Sequence, residues 1–346
     1  VTTTLQTVFV TGATGFIGTH LVERLAERGA EVRCLVRPSS PAAGAAHLRR
    51  PGVVRMAGSL SDPASYRDGL RGCDAVLHLG GLVAAPRVAD LHAANAAGTA
   101  MLADACADLP SPPRLLCVSS IAAAGPPPPG RACRDETDEP MPISDYGLSK
   151  RAGEIELQRR ADRLPVTVVA PGIVYGPGDP KTATLFKAIH RMRVHVTVGV
   201  RTPPLSLIHA ADLVDLVIAA AERGETLAHD GDGRYSPAGY YLACDDRVYP
   251  DYGQFGRHIA RALGRSVLVV PLPVACGRLV GLVAQTVARP DPRGNILSLD
   301  KVREATVQSW ACSAAKARTQ LGFRPAASLE ARLRETAEAF ADAGWL

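Results

Sequence analysis

With 346 residues, 47% of them hydrophobic and 21% charged, the chain has ordinary globular composition and enough length for a substantial core, which excludes a disordered protein. Its formal net charge of +5 is spread along the sequence without a Lys/Arg block, so solvated helix faces account for it and no nucleic-acid partner is expected. The eight cysteines form no C-x-x-C pair and have no histidine at zinc-site spacing; they read as small buried hydrophobes, with no metal site and a reducing, cytoplasmic setting expected.

The N-terminus shows no basic stretch leading into an apolar run and a small-residue cleavage site, so no secretory leader is expected; Val8-Phe9-Val10 runs directly into a glycine turn. From there Val- and Leu-rich runs alternate with helix-like segments, the rhythm of βαβ units around a parallel sheet. Strands are predicted over Thr7–Thr11, Glu31–Val36, Val53–Ala57, Ala75–Leu79, Leu115–Ser119 and Val166–Ala170. Helices are predicted over Ile17–Arg28, Pro63–Leu70, Leu91–Ala107 and Tyr146–Arg160, where apolar residues recur at three- and four-residue spacing. Strands this apolar need helices over both sheet faces, which makes the fold class α/β with a doubly wound parallel sheet.

The run Pro126-Pro127-Pro128-Pro129-Gly130, continued through Arg131–Glu139, predicts a surface loop bordering a ligand site. After Pro177-Gly178-Asp179 the rhythm loosens, with helices expected near Thr184–Met192, Ala211–Arg223, Tyr252–Leu263, Pro273–Ala288 and Leu329–Ala343. The expected organisation is a dinucleotide-binding domain over 1–180 and a smaller α+β substrate domain over 181–346, returning to the first domain around 203–223. Pro273–Ala288 contains Arg278 and Gln285 and falls short of the roughly 20 residues a membrane span needs. A buried amphipathic helix is the favoured reading, ahead of a membrane-surface or substrate lid.

Val8 to Gly18 reads as strand, glycine turn and helix start. Within Gly12-Ala13-Thr14-Gly15-Phe16-Ile17-Gly18, glycines permit a tight turn, let backbone approach a pyrophosphate and let helix pack on strand, while the helix N-terminus offers free N–H groups. The ligand this implies is a dinucleotide. The spacing is G-x-x-G-x-x-G, and TGATGFIG resembles the extended short-chain dehydrogenase/reductase family, which has a Rossmann fold. Strand two ends in Arg37, where an acidic residue would bind ribose hydroxyls; a guanidinium suits a 2′-phosphate, so NADP(H) is favoured and NAD(H) remains open.

Further strings extend the resemblance. Gly58-Ser59-Leu60-Ser61-Asp62 resembles the adenine-contacting turn, with Ser59 where Asp is common, and His78-Leu79-Gly80-Gly81 resembles the motif after the fourth strand, where small residues let the cofactor lie close. His78 itself reads as a core or turn histidine, and Asn95 in Asn95-Ala96-Ala97-Gly98-Thr99 has a structural role by the same resemblance. Pro171, Gly172 and Ile173 match the segment beside the nicotinamide.

Tyr146-Gly147-Leu148-Ser149-Lys150 places a phenol and an ammonium four residues apart on one helix face. A free phenol holds its proton at neutral pH, and an adjacent cation favours the phenolate, so Tyr146 is the expected acid/base. Ser120, after the fifth strand, can hydrogen-bond the reacting oxygen, and by its distance to Gly125 it matches the family's catalytic Ser/Thr. Lys150 also resembles the family's ribose-binding lysine. The reaction implied is hydride transfer between nicotinamide C4 and a carbonyl or carbinol carbon.

Ile121 and Ala122 stand where dehydratases carry Asp-Glu, and Ile173 where nucleotide-sugar enzymes place Asn. The strings are closer to the 3β-hydroxysteroid dehydrogenase and dihydroflavonol reductase branches, which implies a relatively apolar small-molecule substrate with Ile121 and Ile173 as walls. Asp212 in Leu207-Ile208-His209-Ala210-Ala211-Asp212 reads as a helix cap. The alternatives are a nucleotide-sugar epimerase with tightly held NAD and a non-catalytic dinucleotide sensor; the latter would need no Ser120–Tyr146–Lys150 set. Homodimerisation is implied by the resemblance alone.

Overall fold

The computed structural model describes residues 4–229, 235–273 and 303–346. Pro273–Ala288 therefore lies, apart from Pro273, outside the described residues. The first six apolar runs are strands β1 (Thr7–Thr11), β2 (Glu31–Val36), β3 (Val53–Ala57), β4 (Ala75–His78), β5 (Arg114–Val118) and β6 (Val166–Pro171). They are followed by β7 (Ile173–Tyr175), β8 (Val194–Val198), β9 (Leu207–His209), β10 (Tyr240–Ala243) and β11 (Leu268–Leu272). One sheet has the order β10-β6-β5-β4-β1-β2-β3, and every neighbouring pair in it is parallel. Because β1 lies between β2 and β4, the strand order reverses there, and the crevice beyond the carboxyl ends of β1 and β4 is where such sheets bind ligands.

Helices α1 (Phe16–Glu27), α2 (Arg67–Leu70), α3 (Val88–His92), α4 (Gly98–Ala107), α5 (Ile121–Ala124) and α6 (Asp145–Gln158) alternate with the first strands. Then come α7 (Pro180–Met192), α8 (Ala210–Arg223), α9 (Tyr252–Ala262), α10 (Ala315–Leu321) and α11 (Leu329–Asp342). Side chains on a strand alternate between faces, and in β1, β4, β5 and β6 both faces are buried. Val8, Val10, Leu77, Leu116 and Val169 join Leu21, Val22 and Leu25 of α1 and Leu213, Val214 and Val217 of α8 in one core. Phe9, Val76, Leu115 and Val168 join Leu102 and Cys106 of α4 and Leu157 of α6 in the other. Each such side chain contributes about 1.5–3 kcal/mol by leaving water, which is what fixes the helices over the sheet.

Four expectations need correction. The helix expected over Pro63–Leu70 is a 3₁₀ turn at Pro63–Ser65 followed by the short α2. The helix expected over Leu91–Ala107 is interrupted: α3 and α4 are joined by a π turn at Ala93–Ala97, where buried Asn95 gives its carbonyl to the Thr99 hydroxyl at 2.7 Å. The loop after the proline run is not at the surface throughout, because Arg134 is 1% exposed. Its guanidinium donates to the carbonyls of Ala124, Gly125, Pro126, Asp138 and Glu139, binding the two ends of that loop together. Asp212 does not cap α8; His209 does, with Nδ1 accepting the Ala211 N–H. Buried Asp212 instead accepts from the Arg332 guanidinium and the Ala326 N–H, anchoring α11 and the residues before it.

The chain beyond residue 180 contributes to the sheet layer twice, through α8 on β5 and β6 and through β10 at the sheet edge. Among the described residues no helix is long and apolar enough to cross a membrane.

Candidate active site

The turn after β1 has the shape a dinucleotide needs. Gly12 has a φ of +73°, a left-handed conformation, and a Cβ there would lie 2.7 Å from the Leu79 carbonyl carbon. Gly18 presses on the turn from α1: a Cβ on it would collide with the Gly12 carbonyl oxygen. Exposed Gly15 is the N-cap of α1, and no side chain caps the first turn. The N–H groups at Phe16, Ile17 and Gly18 are thus available to a pyrophosphate, beside buried Ala13 and half-buried Thr14.

The other cofactor candidates stand at the carboxyl ends of neighbouring strands. Arg37 is exposed just past β2. Ser59, past β3, pairs with Ser61 through their hydroxyls at 2.9 Å, and its backbone N–H donates to Ser65 Oγ at 3.2 Å. Leu60 reaches the segment after β4, where a Cβ on Gly80 would lie 2.9 Å from its Cδ1. Leu79-Gly80-Gly81 is gripped from behind: Gly80 N–H donates to Thr11 Oγ1 at 3.1 Å, and Asn95 exchanges two 2.8 Å hydrogen bonds with the Leu82 backbone. A Cβ on Gly81 would lie 2.7 Å from Asn95 Oδ1, so this wall admits no larger residue.

Ser120 is the N-cap of α5, its Oγ accepting the Ala122 N–H at 3.2 Å. α6 starts one residue before Tyr146 and is capped by buried Ser144, whose Oγ accepts the Gly147 N–H. The two helices touch backbone to backbone, since a Cβ on Gly147 would collide with the Ala122 carbonyl oxygen. Four residues along the same face, Lys150 is buried and its Nζ donates to the Val118 carbonyl at 2.9 Å. The segments that carry Ser120, Tyr146 and Lys150 thus meet at the end of β5, with Ser120 and Tyr146 still partly accessible. Past β6, the Gly172 N–H donates to Ala243 and the Ile173 N–H to Ser206, holding β7 beside buried Pro171. Ile173 is 43% exposed, whereas Ile121 belongs to the core.

Residues 8–232 match the model of the NAD dependent epimerase/dehydratase family. The chain belongs to that family. Its relatives include a ceramide reductase of Caulobacter vibrioides, 33% identical over 61% of this chain and 60% of that protein. Sterol demethylase protein B of Methylococcus capsulatus is 33% identical over 66% of this chain and 70% of its own length. In fold, the chain is similar to UDP-glucose 4-epimerase of Thermus thermophilus in complex with NAD, with a TM-score of 0.72 and 23% identity over 98% and 100% of the two chains. It is accordingly an enzyme of the extended short-chain dehydrogenase/reductase type with a Rossmann fold.

Against that family background, the structure adds groups that the motifs passed over. Ser119, next to Ser120, gives its hydroxyl to Glu154, which lies four residues beyond Lys150 on α6 and pairs with Arg151 at 3.0 Å. An acid four residues after Lys150, on the same helix face, was the available signal. His78 is fully enclosed; burial, and then the Lys150 cation, push its pKa down to about 3, so it is neutral. Its partners, Thr11 and Thr99, come from strands and helices too distant in sequence to be paired by inspection.

Proposed function

We propose that this family member transfers hydride between a nicotinamide dinucleotide, NADP(H) in preference to NAD(H), and the carbonyl or secondary alcohol of a relatively apolar small molecule. The observation that carries the reading is the backbone contact of Gly147 with Ala122, which sets the turn opened by Ser120 against the helix segment opened by Tyr146. When bound, the dinucleotide supplies a hydride donor or acceptor at nicotinamide C4. In the reducing direction Tyr146 gives its proton to the substrate oxygen, Ser120 orients that oxygen by a hydrogen bond, and Lys150 stabilises the phenolate left behind. Lys150 would also hold the ribose, a reading that its burial and its closeness to Gly81 support.

Gly12 to Gly18 would hold the pyrophosphate, Ser59 and Leu60 the adenine side, and Leu79–Gly81 with Pro171–Ile173 the nicotinamide side. Exposed Arg37 supports a 2′-phosphate, and Ile173 supports an apolar substrate because its side chain is left open past β6. Relatives named ceramide reductase and sterol demethylase protein B point to the same lipid-like class.

The test is oxidation of NADPH and NADH against aldehydes, ketones, steroid-like enones and β-ketoacids. Tyr146→Phe should lower kcat about 10²- to 10⁴-fold; an unchanged rate removes Tyr146 from the mechanism. Interconversion of nucleotide sugars without net cofactor consumption would establish the epimerase instead.

A further inference from the structure

The hydrogen bonds around His78 have only one consistent direction. Thr99 Oγ1 lies 2.7 Å from the Asn95 carbonyl, which can only accept, so the Thr99 hydroxyl donates there. Towards His78 Nε2, at 3.0 Å, the same hydroxyl must therefore accept, and Nε2 carries a proton. On the other side Thr11 Oγ1 already accepts the Gly80 N–H and stands 2.7 Å from His78 Nδ1. A bare Nδ1 lets the Thr11 hydroxyl donate to it; a protonated Nδ1 would leave Thr11 facing two donors with its own proton unplaced.

The line runs from Gly80 N–H through Thr11, His78 and Thr99 to Asn95. Asn95 carries it onward, because its Nδ2 donates to Ser149 Oγ at 2.9 Å and Ser149 donates to the Tyr146 carbonyl at 2.7 Å. Asn95 also grips Leu82, and Gly153 of α6 fits against the Asn95 carbonyl, where a Cβ would collide. We propose that His78, held as the Nε2–H tautomer, is a positioning residue that couples the Leu79–Leu82 segment to the helix carrying Tyr146 and Lys150. The coupling rests on the proposed placement of the cofactor against Gly80 and Gly81. Its consequence is that the cofactor wall and the acid/base helix are set by one continuous line and shift together.

The experiment measures equilibrium binding of NADPH and NADH to the full chain by fluorescence titration. The variants are Thr11→Val, Thr99→Val and their double, with Thr11→Ser and Thr99→Ser as hydroxyl-retaining controls. Thr11 and Thr99 are joined through His78. Each valine variant should weaken binding about five- to tenfold, and the double no more than either single, because the line is broken once. The serine variants should stay within about twofold of the parent. Nitrogen NMR of the parent protein, assigned with His78→Gln, should show a protonated Nε2 and a bare Nδ1. Losses that multiply in the double variant, valine variants that bind like the parent, or the opposite tautomer would each overturn the coupling. A parent chain that binds neither dinucleotide would instead overturn the proposed function.

Discussion

Glu154 accepts the hydroxyl of Ser119, so the residue before Ser120 is fastened to the helix face that carries Lys150 one turn earlier. The same carboxylate is ion-paired with Arg151, and both side chains are largely buried, at 4% and 15% exposure. Arg151 further donates to Tyr240 Oη in the edge strand, so sheet edge, α6 and the end of β5 meet at this pair.

Breaking such a pair from one side leaves a buried charge uncompensated, whereas replacing both partners with apolar groups does not. Glu154→Leu should therefore cost about 3–5 kcal/mol in urea unfolding, and Arg151→Leu/Glu154→Leu should recover most of that loss. A double variant no more stable than Glu154→Leu would show that the Ser119 and Tyr240 bonds, not the charge pair, carry the stability.

The glycines differ by what surrounds them. Gly12→Ala and Gly18→Ala should each destabilise by about 3 kcal/mol or more and abolish dinucleotide binding, even though alanine is the better helix former at Gly18. Gly72 has a similar positive φ of +70° with open space around it, so Gly72→Ala should cost only about 1 kcal/mol and leave binding intact. Thermal melts and titrations on the three variants would check the ranking, and equal effects would contradict the close approach of Gly12 to Leu79.

The sheet was legible where burial on both faces left unbroken apolar runs, as in Val8-Phe9-Val10 and Ala75-Val76-Leu77. β10 was not, because Tyr240–Ala243 lies far along the chain from the regular βαβ rhythm and its identity as a strand comes from pairing with β6. Tyr146 and Lys150 could be read together because four-residue spacing puts them on one helix face. Asp212 was misread for the opposite reason: its partner Arg332 is 120 positions away, and first-turn acids resemble caps. Arg134 sits in a proline-rich loop that looks exposed, and its five carbonyl partners carry no side-chain signature.

On the function proposed above, Arg37 selects the cofactor. The guanidinium lies exposed past β2, and a carboxylate there would repel a 2′-phosphate while accepting ribose hydroxyls. Arg37→Asp should raise KM for NADPH at least about tenfold and lower it for NADH, with kcat little changed. Faster turnover with NADH in the parent enzyme would remove Arg37 from cofactor selection.

Acid sensitivity should come from two buried histidines. Burial, then Lys150, lower the pKa of His78 to about 3; burial, then Arg332, lower that of His209 to about 4. In the unfolded chain both titrate near 6.5, so above that pH neither state binds the proton and stability is unaffected. As pH falls from about 6.5 towards 4, the unfolded state takes up protons that the folded state refuses, and each histidine removes up to about 1.4 kcal/mol per pH unit. Protonation would also place a proton on His209 Nδ1, the acceptor that caps α8. Urea unfolding between pH 7 and 4.5 should show this decline in the parent and a shallower one in His78→Gln. Parallel slopes for the two proteins would mean that His78 takes up its proton in the folded state, and the one-directional line from Gly80 to Asn95 could not then persist.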